Sequence, residues 1–241
     1  MLITGAARNL PAVIAKEFGC VGATVAINYR TSKALAQNVS EEIKQAGGRA
    51  ALFRADVTKR EQLEIMIKRV QKELGKIDIL VNGSGPFTMT PFMHLPENQW
   101  NYILDSNLKA IYLLSQLVAP DMIEKGWGRI INISAGSADV RNHSVYSLAN
   151  SGVRFITECL ALELGPEVAT NAISPGQIKE SAPDISEFDP TFVENTIRHT
   201  PMGRLVTRQE IARVAVLLCS QVFNSVTGQT IRMDGGKSIP R

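Results

Sequence analysis

The sequence predicts a single α/β domain built on a doubly wound parallel sheet with helices on both faces. A chain of 241 residues suits one large domain and is short for two. Short runs rich in β-branched residues alternate with longer amphipathic stretches, which is typical of βαβ units joined by right-handed crossovers. Most of these short runs are continuously apolar, as strands covered on both faces are. No repeat or linker divides the chain, so we expect residues 1–241 to form one domain.

The elements follow one another in regular alternation, beginning with a strand that ends at a glycine turn, Thr4-Gly5. The strands, taken from the apolar β-branched runs, are Leu2–Thr4, Thr24–Tyr29, Ala50–Arg54, Ile77–Asn82, Gly128–Ser134, Ala169–Ser174 and Thr230–Met233. The helices, taken from apolar residues at intervals of three and four, are Pro11–Gly22, Ser32–Ala46, Arg60–Leu74, Pro96–Lys125, Tyr146–Leu164 and Arg208–Cys219.

Charge and hydrophobicity argue against several classes of partner. The chain has 26 Lys+Arg and 23 Asp+Glu, a net charge of +3, and the excess is spread along the sequence. So small and dispersed an excess argues against nucleic acid or an anionic membrane as a partner. No apolar run approaches the roughly 18 residues that a membrane helix needs, and residues 1–5 do not resemble a signal peptide.

The three cysteines indicate the redox environment. Cys20, Cys159 and Cys219 lie far apart, with no CxxC pair and no His cluster beside them. This is not the spacing of a zinc site, so we expect no bound metal. The spacing favours a reducing compartment, which makes the cytoplasm the predicted location. We expect all three thiols to be small buried side chains.

The segment 177–204 interrupts the alternation of strands and helices. It holds Pro183, Pro190 and Pro201 and an acidic stretch from Glu180 to Asp189. It follows a predicted strand end, the edge at which open α/β sheets bind their ligands. We therefore expect a lid over a small-molecule site, and the alternative is an ordinary long surface connection.

A series of short motifs falls at the predicted strand ends. They are Thr4-Gly5-Ala6-Ala7-Arg8, Asp56-Val57, Asn82-Gly83-Ser84-Gly85, Asn107, Gly128–Ser134, Tyr146-Ser-Leu-Ala, Asn171–Gly176 and Met233–Gly236. Each is weak evidence alone, but in this order and spacing they resemble the short-chain dehydrogenase/reductase family, especially its ketoacyl-reductase-like members. The resemblance covers essentially the whole chain. It implies a Rossmann-like fold and hydride transfer between a nicotinamide cofactor and a carbonyl group.

The resemblance also implies where the cofactor binds. Its diphosphate would rest on the glycine turn at a helix N-terminus, where free N–H groups and the helix dipole meet negative charge. Asp56 and Val57 would contact the adenine, and Asn82 and Gly85 would line the adenosine side. The full set of expected cofactor residues is Gly5, Arg8, Asn9, Leu10, Arg30, Asp56, Val57, Asn82, Gly85, Pro175, Gly176 and Ile178.

The end of the second strand indicates which nicotinamide cofactor fits. NAD-preferring members of the family place an acidic residue there to hold the ribose hydroxyls, whereas this chain has Asn28-Tyr29-Arg30. A second arginine, Arg8, lies in the first turn. Two arginines and no carboxylate suit a 2′-phosphate, so the resemblance implies NADP(H). The alternative is that both arginines are structurally neutral.

The family's catalytic set is Asn, Ser, Tyr and Lys, and two of these four match here. By resemblance Tyr146 donates a proton to the carbonyl, and Asn107 supports a water-linked proton path. A free tyrosine has a pKa of about 10, and the family's lysine, one helical turn later, favours tyrosinate and holds the nicotinamide ribose. In this chain that position is Asn150, which carries no charge.

The serine that polarises the carbonyl has no direct counterpart. The family's serine aligns with Ala135, so either Ser134 or Ser137 would have to replace it. We favour Ser134, and an ordinary loop serine is the alternative. His143, three residues before Tyr146, would also lie near the substrate.

The phosphate site departs from the family as well. The pattern TGxxxGxG becomes Thr4-Gly5-Ala6-Ala7-Arg8-Asn9-Leu10-Pro11, which keeps only the first glycine. The second glycine lets the backbone approach phosphate, and Asn9 adds a side chain there. The third permits close helix–strand packing, and Pro11 also removes an N–H. Glu180 replaces a threonine near the diphosphate, and its carboxylate would repel the phosphates unless it turns outward.

Because these departures touch the cofactor and the proton relay, three functions are open. The first is an NADPH-dependent reductase of a small-molecule carbonyl substrate, such as a 3-oxoacyl compound or a similar ketone, with Tyr146 as the acid. The second is a binding or regulatory homologue with little turnover. The third is a cofactor-free enzyme that uses Tyr146 in the vacated cleft. The resemblance further implies a homotetramer or homodimer.

Overall fold

The computed structural model describes residues 1–88, 90–136, 144–183 and 190–239. Its strands are β1 (Leu2–Ile3), β2 (Thr24–Tyr29), β3 (Arg49–Arg54), β4 (Ile79–Asn82), β5 (Gly128–Ile133), β6 (Val168–Pro175) and β7 (Thr230–Met233). They form a seven-stranded sheet in the order β3-β2-β1-β4-β5-β6-β7, and its pairings are parallel. The helices are α1 (Asn9–Cys20), α2 (Lys33–Gln45), α3 (Arg60–Leu74), α4 (Glu97–Leu104), α5 (Ala110–Lys125), α6 (Val145–Leu164), α7 (Pro190–Arg198) and α8 (Arg208–Leu217). The predicted doubly wound α/β class is confirmed.

Two apolar clusters hold helices against opposite faces of the sheet. Ile27 and Val81 belong to the cluster with α1, α2 and α8, whereas their neighbours Ala26 and Leu80 belong to the cluster with α3 and α5. Successive side chains of a strand point to opposite faces. Burial of both faces is therefore the reason that these strands are continuously apolar in sequence.

The strand order fixes the place of the ligand crevice. β2 and β3 lie on one side of β1, and β4 to β7 lie on the other. Connections leave β1 and β4 in opposite directions, so a crevice opens at the carboxyl ends of these two strands. The segments that follow β1, β2 and β4 consequently meet there.

Two of the predicted helices differ from the structure in ways that bear on the site. Helix α1 begins at Asn9 rather than Pro11, so the proline lies within its first turn, where a missing N–H is tolerated. The stretch 96–125 was predicted as one helix, but α4 and α5 are separated by a π turn at Asp105–Lys109. The apolar pattern runs through this turn without interruption, which is why the sequence does not indicate it.

The segment 177–204 has more regular structure than its prolines suggest. It contains a 3₁₀ turn at Lys179–Ser181 and helix α7, which starts at Pro190. Residues 184–189 of the predicted acidic stretch lie outside the described residues. The role of this segment as a lid remains a prediction.

The cysteines are more exposed than predicted. Cys20 ends α1 and Cys159 lies on the outer side of α6; both are exposed, and Cys219 is partly buried. The prediction of three buried thiols is wrong for the first two, because both occupy the solvent side of their helices. In the described ranges, no group of three His, Cys, Asp or Glu side chains is placed to hold a metal ion. None of the described helices has the length and apolar character needed to span a bilayer.

Helix α8 begins with a capping box that ties it to the end of the 177–204 segment. The Thr207 hydroxyl accepts a hydrogen bond from the Glu210 N–H, and the Glu210 carboxylate accepts one from the Thr207 N–H. Arg204 adds a two-pronged ion pair to the same carboxylate. Hydrogen bonds from Arg204 and Thr207 lower the pKa of Glu210 from 4.5 to about 2.

Replacing Glu210 by Gln should therefore reduce stability in a pH-dependent way. The pKa of Glu210 is lower in the folded chain than in the unfolded chain, so its contribution is fully present above about pH 4.5 and is lost as the pH falls towards 2. Urea unfolding between pH 3 and 7 should show E210Q less stable at pH 7, with a gap that narrows below pH 4.5. Glu194→Gln, which removes a surface ion pair with Arg198, is the control. A gap of constant size across this range would contradict the assignment.

Candidate functional site

A crevice of about 280 Å³ opens beside the carboxyl ends of β1, β2, β3 and β4. Seven of the predicted cofactor residues line it: Gly5, Arg8, Asn9, Arg30, Asp56, Val57 and Gly85. The crevice thus gathers residues from four separate strand ends. Leu10 lies instead in the apolar core beneath α1, where its side chain is buried.

The turn after β1 is bound tightly to the exit of β4. The Thr4 hydroxyl oxygen accepts hydrogen bonds from the N–H groups of Gly83 and Ser84, at 3.1 and 3.2 Å. Gly5 has a φ of +67°, and a Cβ there would lie 2.8 Å from the Ser84 hydroxyl oxygen. The first glycine of the pattern is therefore required both by its backbone conformation and by this close approach.

Asn9 takes the place of the second glycine and holds a backbone conformation that glycine favours. Its φ is +55°, the left-handed conformation that favours glycine, and asparagine is among the residues that tolerate it best. Its side chain is exposed at the start of α1. The N–H groups of Asn9 and Leu10 lie in the first helical turn, where a helix has no acceptor of its own for them.

Pro11 and Gly83 form a complementary pair. A Cβ at residue 83 would lie 2.8 Å from Cγ and 3.0 Å from Cβ of Pro11. The Pro11 ring therefore occupies the room that the absence of a side chain at Gly83 provides. In the family's pattern, the third glycine permits close packing of the helix on the strand. Here the packing is equally close, but the glycine is Gly83 after β4 and the side chain is Pro11 on α1.

Two arginines line the crevice, and they differ in whether a carboxylate lies beside them. Arg30 lies 3.7 Å from the Asp56 carboxylate and places its guanidinium 5.2 Å from the centre of the Tyr102 ring. Arg8 is exposed, and no carboxylate among the described residues pairs with it. The side chain of Asn28 is buried and binds the Phe53 and Ala55 carbonyls. This part of the crevice thus has a net positive charge.

Asn82 has a different environment from the predicted one. Its side-chain N–H group donates to the Asn132 side chain at 2.8 Å, and Asn132 donates to the Thr157 hydroxyl at 2.9 Å. All three side chains are buried, and they link β4 and β5 to α6. The Asn82 side chain therefore joins elements of the fold, which its position at the end of β4 did not reveal.

The exit of β6 faces the C-terminal segment. Gly176 donates its N–H to the Met233 carbonyl at 3.0 Å, and a Cβ at Gly176 would lie 2.7 Å from Cβ of Asp234. Pro175 ends β6 beside Met233, and Ile178 forms a bridge with Val206. These contacts hold the predicted residues Pro175, Gly176 and Ile178 at and just beyond the carboxyl end of β6, and none of the three lines the crevice.

Glu180 turns away from the crevice. Its carboxylate oxygens accept the Arg208 N–H at 3.1 and 3.2 Å, at the N-terminus of α8, where the helix dipole favours a negative charge. Arg208 donates in turn to the Ser181 hydroxyl. From the sequence, the Glu180 carboxylate was expected to repel a diphosphate unless it turned outward. Because it is bonded to the N-terminus of α8, this repulsion is avoided.

Tyr146 lies near the start of α6, half-buried under an aromatic cover. Its ring meets the Phe87 ring edge to face, with 5.0 Å between the ring centres. Burial raises the pKa of the Tyr146 hydroxyl above its usual value near 10, and the Asn150 amide opposes this only in part. The hydroxyl is consequently protonated at neutral pH.

The side chains of Asn150 and Ser134 both donate hydrogen bonds to main-chain carbonyls of α6. The Asn150 side chain is buried and donates to the Tyr146 main-chain carbonyl at 2.9 Å. The Ser134 hydroxyl, also buried, donates to the Asn150 main-chain carbonyl at 3.1 Å. Both side chains thus stabilise the α6 helix and its contact with β5. Ser137 and His143, the other candidates near Tyr146, lie outside the described residues.

Asn107 lies in the π turn and explains it. Its side-chain N–H group donates to the Ile103 carbonyl at 3.0 Å and to the Pro86 carbonyl at 3.2 Å. The Ile103 carbonyl is the one that a regular α-helix would assign to the Asn107 main chain, so the side chain displaces a helical bond. Gly85 lies directly against the Asn107 side chain, where a Cβ would not fit.

Phe87 and Tyr102 are two aromatic residues at the site that sequence reasoning missed. Phe87 comes two residues after Gly85, and Tyr102 lies one helical turn before Ser106, which also lines the crevice. An aromatic residue just beyond the glycines after β4 was the available signal for Phe87. The signal for Tyr102 was its i, i+4 spacing to Ser106, the residue before Asn107.

The chain is similar in sequence to curated oxidoreductases along nearly its whole length. Residues 5–238 match the family model described as enoyl-(acyl carrier protein) reductase. The 3-oxoacyl-(acyl-carrier-protein) reductase FabG of Staphylococcus epidermidis is 32% identical over 238 residues, which cover 98% of this chain and 97% of the relative. The 5-keto-D-gluconate 5-reductase of Escherichia coli K12 is 30% identical over 242 residues, covering 99% and 95%.

Solved structures show the same fold. A gluconate 5-dehydrogenase from Burkholderia cenocepacia J2315, in complex with NADP and tartrate, superposes with a TM-score of 0.92 at 27% identity, covering 100% of this chain and 95% of its own. A short-chain type dehydrogenase/reductase from Mycobacterium marinum superposes with a TM-score of 0.89 at 30% identity, covering 99% and 94%.

The left-handed backbone at Asn9 gives a direct test of the turn. Asn9→Ala should lower the free energy of unfolding by about 1 kcal/mol, because alanine resists this conformation, whereas Asn9→Gly should be neutral or stabilising. Urea denaturation of both variants measures the difference. Equal stability of the alanine and glycine variants would show that residue 9 does not hold a positive φ.

Proposed function

This chain belongs to the short-chain dehydrogenase/reductase family, and on that premise we propose that it reduces a small carbonyl compound with NADPH. The relatives named above are reductases and dehydrogenases. The observation that supports the proposal best is the placement of Tyr146. It lies at the same sheet edge as the crevice, joined to it by the short segment Gly85–Phe87.

The crevice residues fit a nicotinamide dinucleotide phosphate. Gly5 leaves the turn free of a side chain, and the first turn of α1 offers main-chain N–H groups to phosphate. Arg8 and Arg30 face a single carboxylate, Asp56, so a 2′-phosphate would meet excess positive charge. The related gluconate 5-dehydrogenase was solved with NADP, which supports the same cofactor here. When bound, NADPH would supply the hydride.

Tyr146 would give its hydroxyl proton to the carbonyl oxygen as that oxygen gains negative charge. Because burial raises its pKa, the hydroxyl holds this proton throughout the neutral range. The reverse reaction would require tyrosinate, which burial disfavours and which the uncharged Asn150 stabilises only in part. We therefore propose that the chain works in the direction of reduction, and slowly, since acid–base assistance is worth about 10²–10⁴-fold in rate.

The alternative is a nucleotide-binding homologue with little turnover. Asn150 favours it, because its side chain is buried and bonded to the Tyr146 carbonyl. The excess positive charge of Arg8 and Arg30 over Asp56 in the crevice disfavours the third possibility, a cofactor-free enzyme, because an anionic ligand suits that charge best. The reductase and the homologue with little turnover would both bind a nucleotide. They differ in whether Tyr146 transfers a proton to a substrate.

We also propose that the chain assembles with copies of itself. Leu148, Phe155 and Leu162 are exposed along α6, and Tyr112 is exposed on α5. A stripe of large apolar side chains on these long helices suits a helix-to-helix interface between subunits. The three free cysteines support the cytoplasm as the location, since oxidising compartments favour disulfides.

Nucleotide titration tests the cofactor proposal. We expect NADPH to bind with a micromolar dissociation constant and NADH at least tenfold more weakly, measured by calorimetry or nucleotide fluorescence. Arg8→Ala should reduce this preference, because it removes the unpaired positive charge. Arg49→Ala changes an exposed arginine at the amino end of β3, the end away from the crevice, and should leave this preference unchanged. The absence of binding at millimolar nucleotide would contradict the reductase proposal.

A pH profile tests the proton step. For ketone reduction we expect kcat/KM to stay flat from pH 6 to 9, because Tyr146 keeps its proton. The reverse oxidation should rise about tenfold per pH unit, following the tyrosinate fraction. Tyr146→Phe should abolish both reactions, and Asn150→Lys should raise both rates at pH 7 by lowering the pKa of Tyr146.

Two results would contradict this assignment. Turnover that survives in Tyr146→Phe would remove Tyr146 as the acid. No gain in Asn150→Lys, in protein shown to bind NADPH, would place the defect at the missing serine instead.

A further inference from the structure

We propose that Tyr102 determines how strongly this chain prefers NADPH to NADH, by holding the Arg30 guanidinium where a 2′-phosphate would meet it. Tyr102 is thus a positioning residue, which acts on the nucleotide through Arg30. The inference rests on the proposed function, because it takes the crevice to bind a nicotinamide dinucleotide phosphate. The motifs that carry the family resemblance do not include Tyr102.

The contact between Arg30 and Tyr102 spans the crevice. Arg30 follows β2, whereas Tyr102 lies on α4, which comes after β4. β2 and β4 lie on opposite sides of β1, two strand spacings or about 10 Å apart. The guanidinium carbon nevertheless lies 5.2 Å from the centre of the Tyr102 ring, and both residues line the crevice. The two side chains therefore reach towards each other across the end of β1.

This contact leaves the hydrogen-bond donors of Arg30 available. The face of an aromatic ring attracts a cation without supplying the oxygen acceptors that a carboxylate does. The Asp56 carboxylate oxygen lies 3.7 Å from the Arg30 nitrogen, which is too far for a hydrogen bond. Within the described ranges, the Arg30 guanidinium makes no hydrogen bond. Its N–H groups can therefore bind phosphate oxygens, which arginine does in a two-pronged manner.

Tyr102 also limits the ion pair between Arg30 and Asp56. One Asp56 oxygen accepts the N–H and the hydroxyl of Thr58, at 3.0 and 2.8 Å, so the carboxylate is fixed in place. A two-pronged pair with the other oxygen would bring the guanidinium to about 2.8 Å and neutralise its charge. Because the ring attracts the guanidinium, the separation stays at 3.7 Å. The positive charge consequently remains available to a 2′-phosphate.

Both partners of the contact have fixed supports. The Arg30 carbonyl accepts the Arg54 Nε–H at 3.2 Å, which ties its main chain to the end of β3. Ile103, next to Tyr102, is buried, and its carbonyl accepts the Asn107 side chain at 3.0 Å. An arginine that is already held in place loses less conformational freedom when it binds phosphate. The preference for a 2′-phosphate should therefore depend on the ring that holds it.

Nucleotide fragments test the proposal without turnover. Adenosine 2′,5′-bisphosphate and 5′-AMP differ only in the 2′-phosphate, and calorimetry on the full chain gives both dissociation constants. Tyr102→Leu should weaken binding of the bisphosphate about two- to fivefold, as expected for loss of an exposed cation–π contact, and leave 5′-AMP unchanged. Tyr102→Phe keeps the ring and should bind both fragments as the unmodified chain does. Equal losses for the two fragments would show that the ring contacts the adenosine itself, and would overturn the proposal.

A double-mutant cycle tests whether Tyr102 acts through Arg30. Arg30→Ala should weaken bisphosphate binding about tenfold. In the Arg30→Ala background, Tyr102→Leu should cause no further loss, because no guanidinium remains to be held. Additive losses in the double variant would contradict the proposal.

Arg69→Ala is the matched control for Arg30→Ala. Arg69 also lies over an aromatic ring and beside a carboxylate, those of Phe53 and Glu73. It lies on α3, outside the crevice, so its removal should leave the binding of both fragments unchanged. A loss of bisphosphate affinity equal to that of Arg30→Ala would show a general effect of charge and contradict a local role for Arg30.

The two proposals fail in different ways. If the bisphosphate binds and Tyr102→Leu leaves its affinity unchanged, Tyr102 has no positioning role and the reductase proposal stands. If neither fragment nor NADPH binds the unmodified chain at millimolar concentration, both proposals are overturned. Binding that follows these expectations, in a chain that reduces no ketone, would remove the reductase function and leave the role of Tyr102 in place.

Discussion

The contact between the turn after β1 and the exit of β4 is the constraint on which the rest of the site depends. Thr4 and Gly5 pack against Gly83 and Ser84 through two hydrogen bonds and an approach that excludes a side chain. This contact sets the start of α1, whose first turn lines the crevice. It also sets the direction in which the chain leaves β4 towards Phe87. The nucleotide end and the Tyr146 end of the site are therefore positioned by one junction.

The strands were predictable because their burial leaves a signal in composition. Side chains on both faces of β2, β4 and β5 meet apolar cores, so these strands are largely apolar and rich in Val and Ile. The π turn and α7 left no such signal. The first arises from one side-chain hydrogen bond of Asn107, and the second begins at a proline that also suits a loop.

The positions of the site residues were predictable, but the directions of their side chains were not. Motif spacing placed Asn82, Ser134 and Glu180 near the strand ends, and all three are there. Their polar groups nevertheless bond to Asn132, to a helix carbonyl and to the start of α8. Short polar side chains have several main-chain partners within reach, so only packing decides among them. The role of Gly5 was easier to predict, because its positive φ and its close approach to Ser84 both require glycine.

The Pro11–Gly83 pair has a consequence for the history and redesign of this chain. Neither position can change freely while the other stays fixed: a side chain at 83 would strike the proline ring, and a glycine at 11 would leave an unfilled gap against Gly83. The pair is thus an epistatic unit, in which the order of substitutions matters. Restoring the family's glycine pattern one residue at a time would pass through a loosened intermediate, so both positions must be exchanged together.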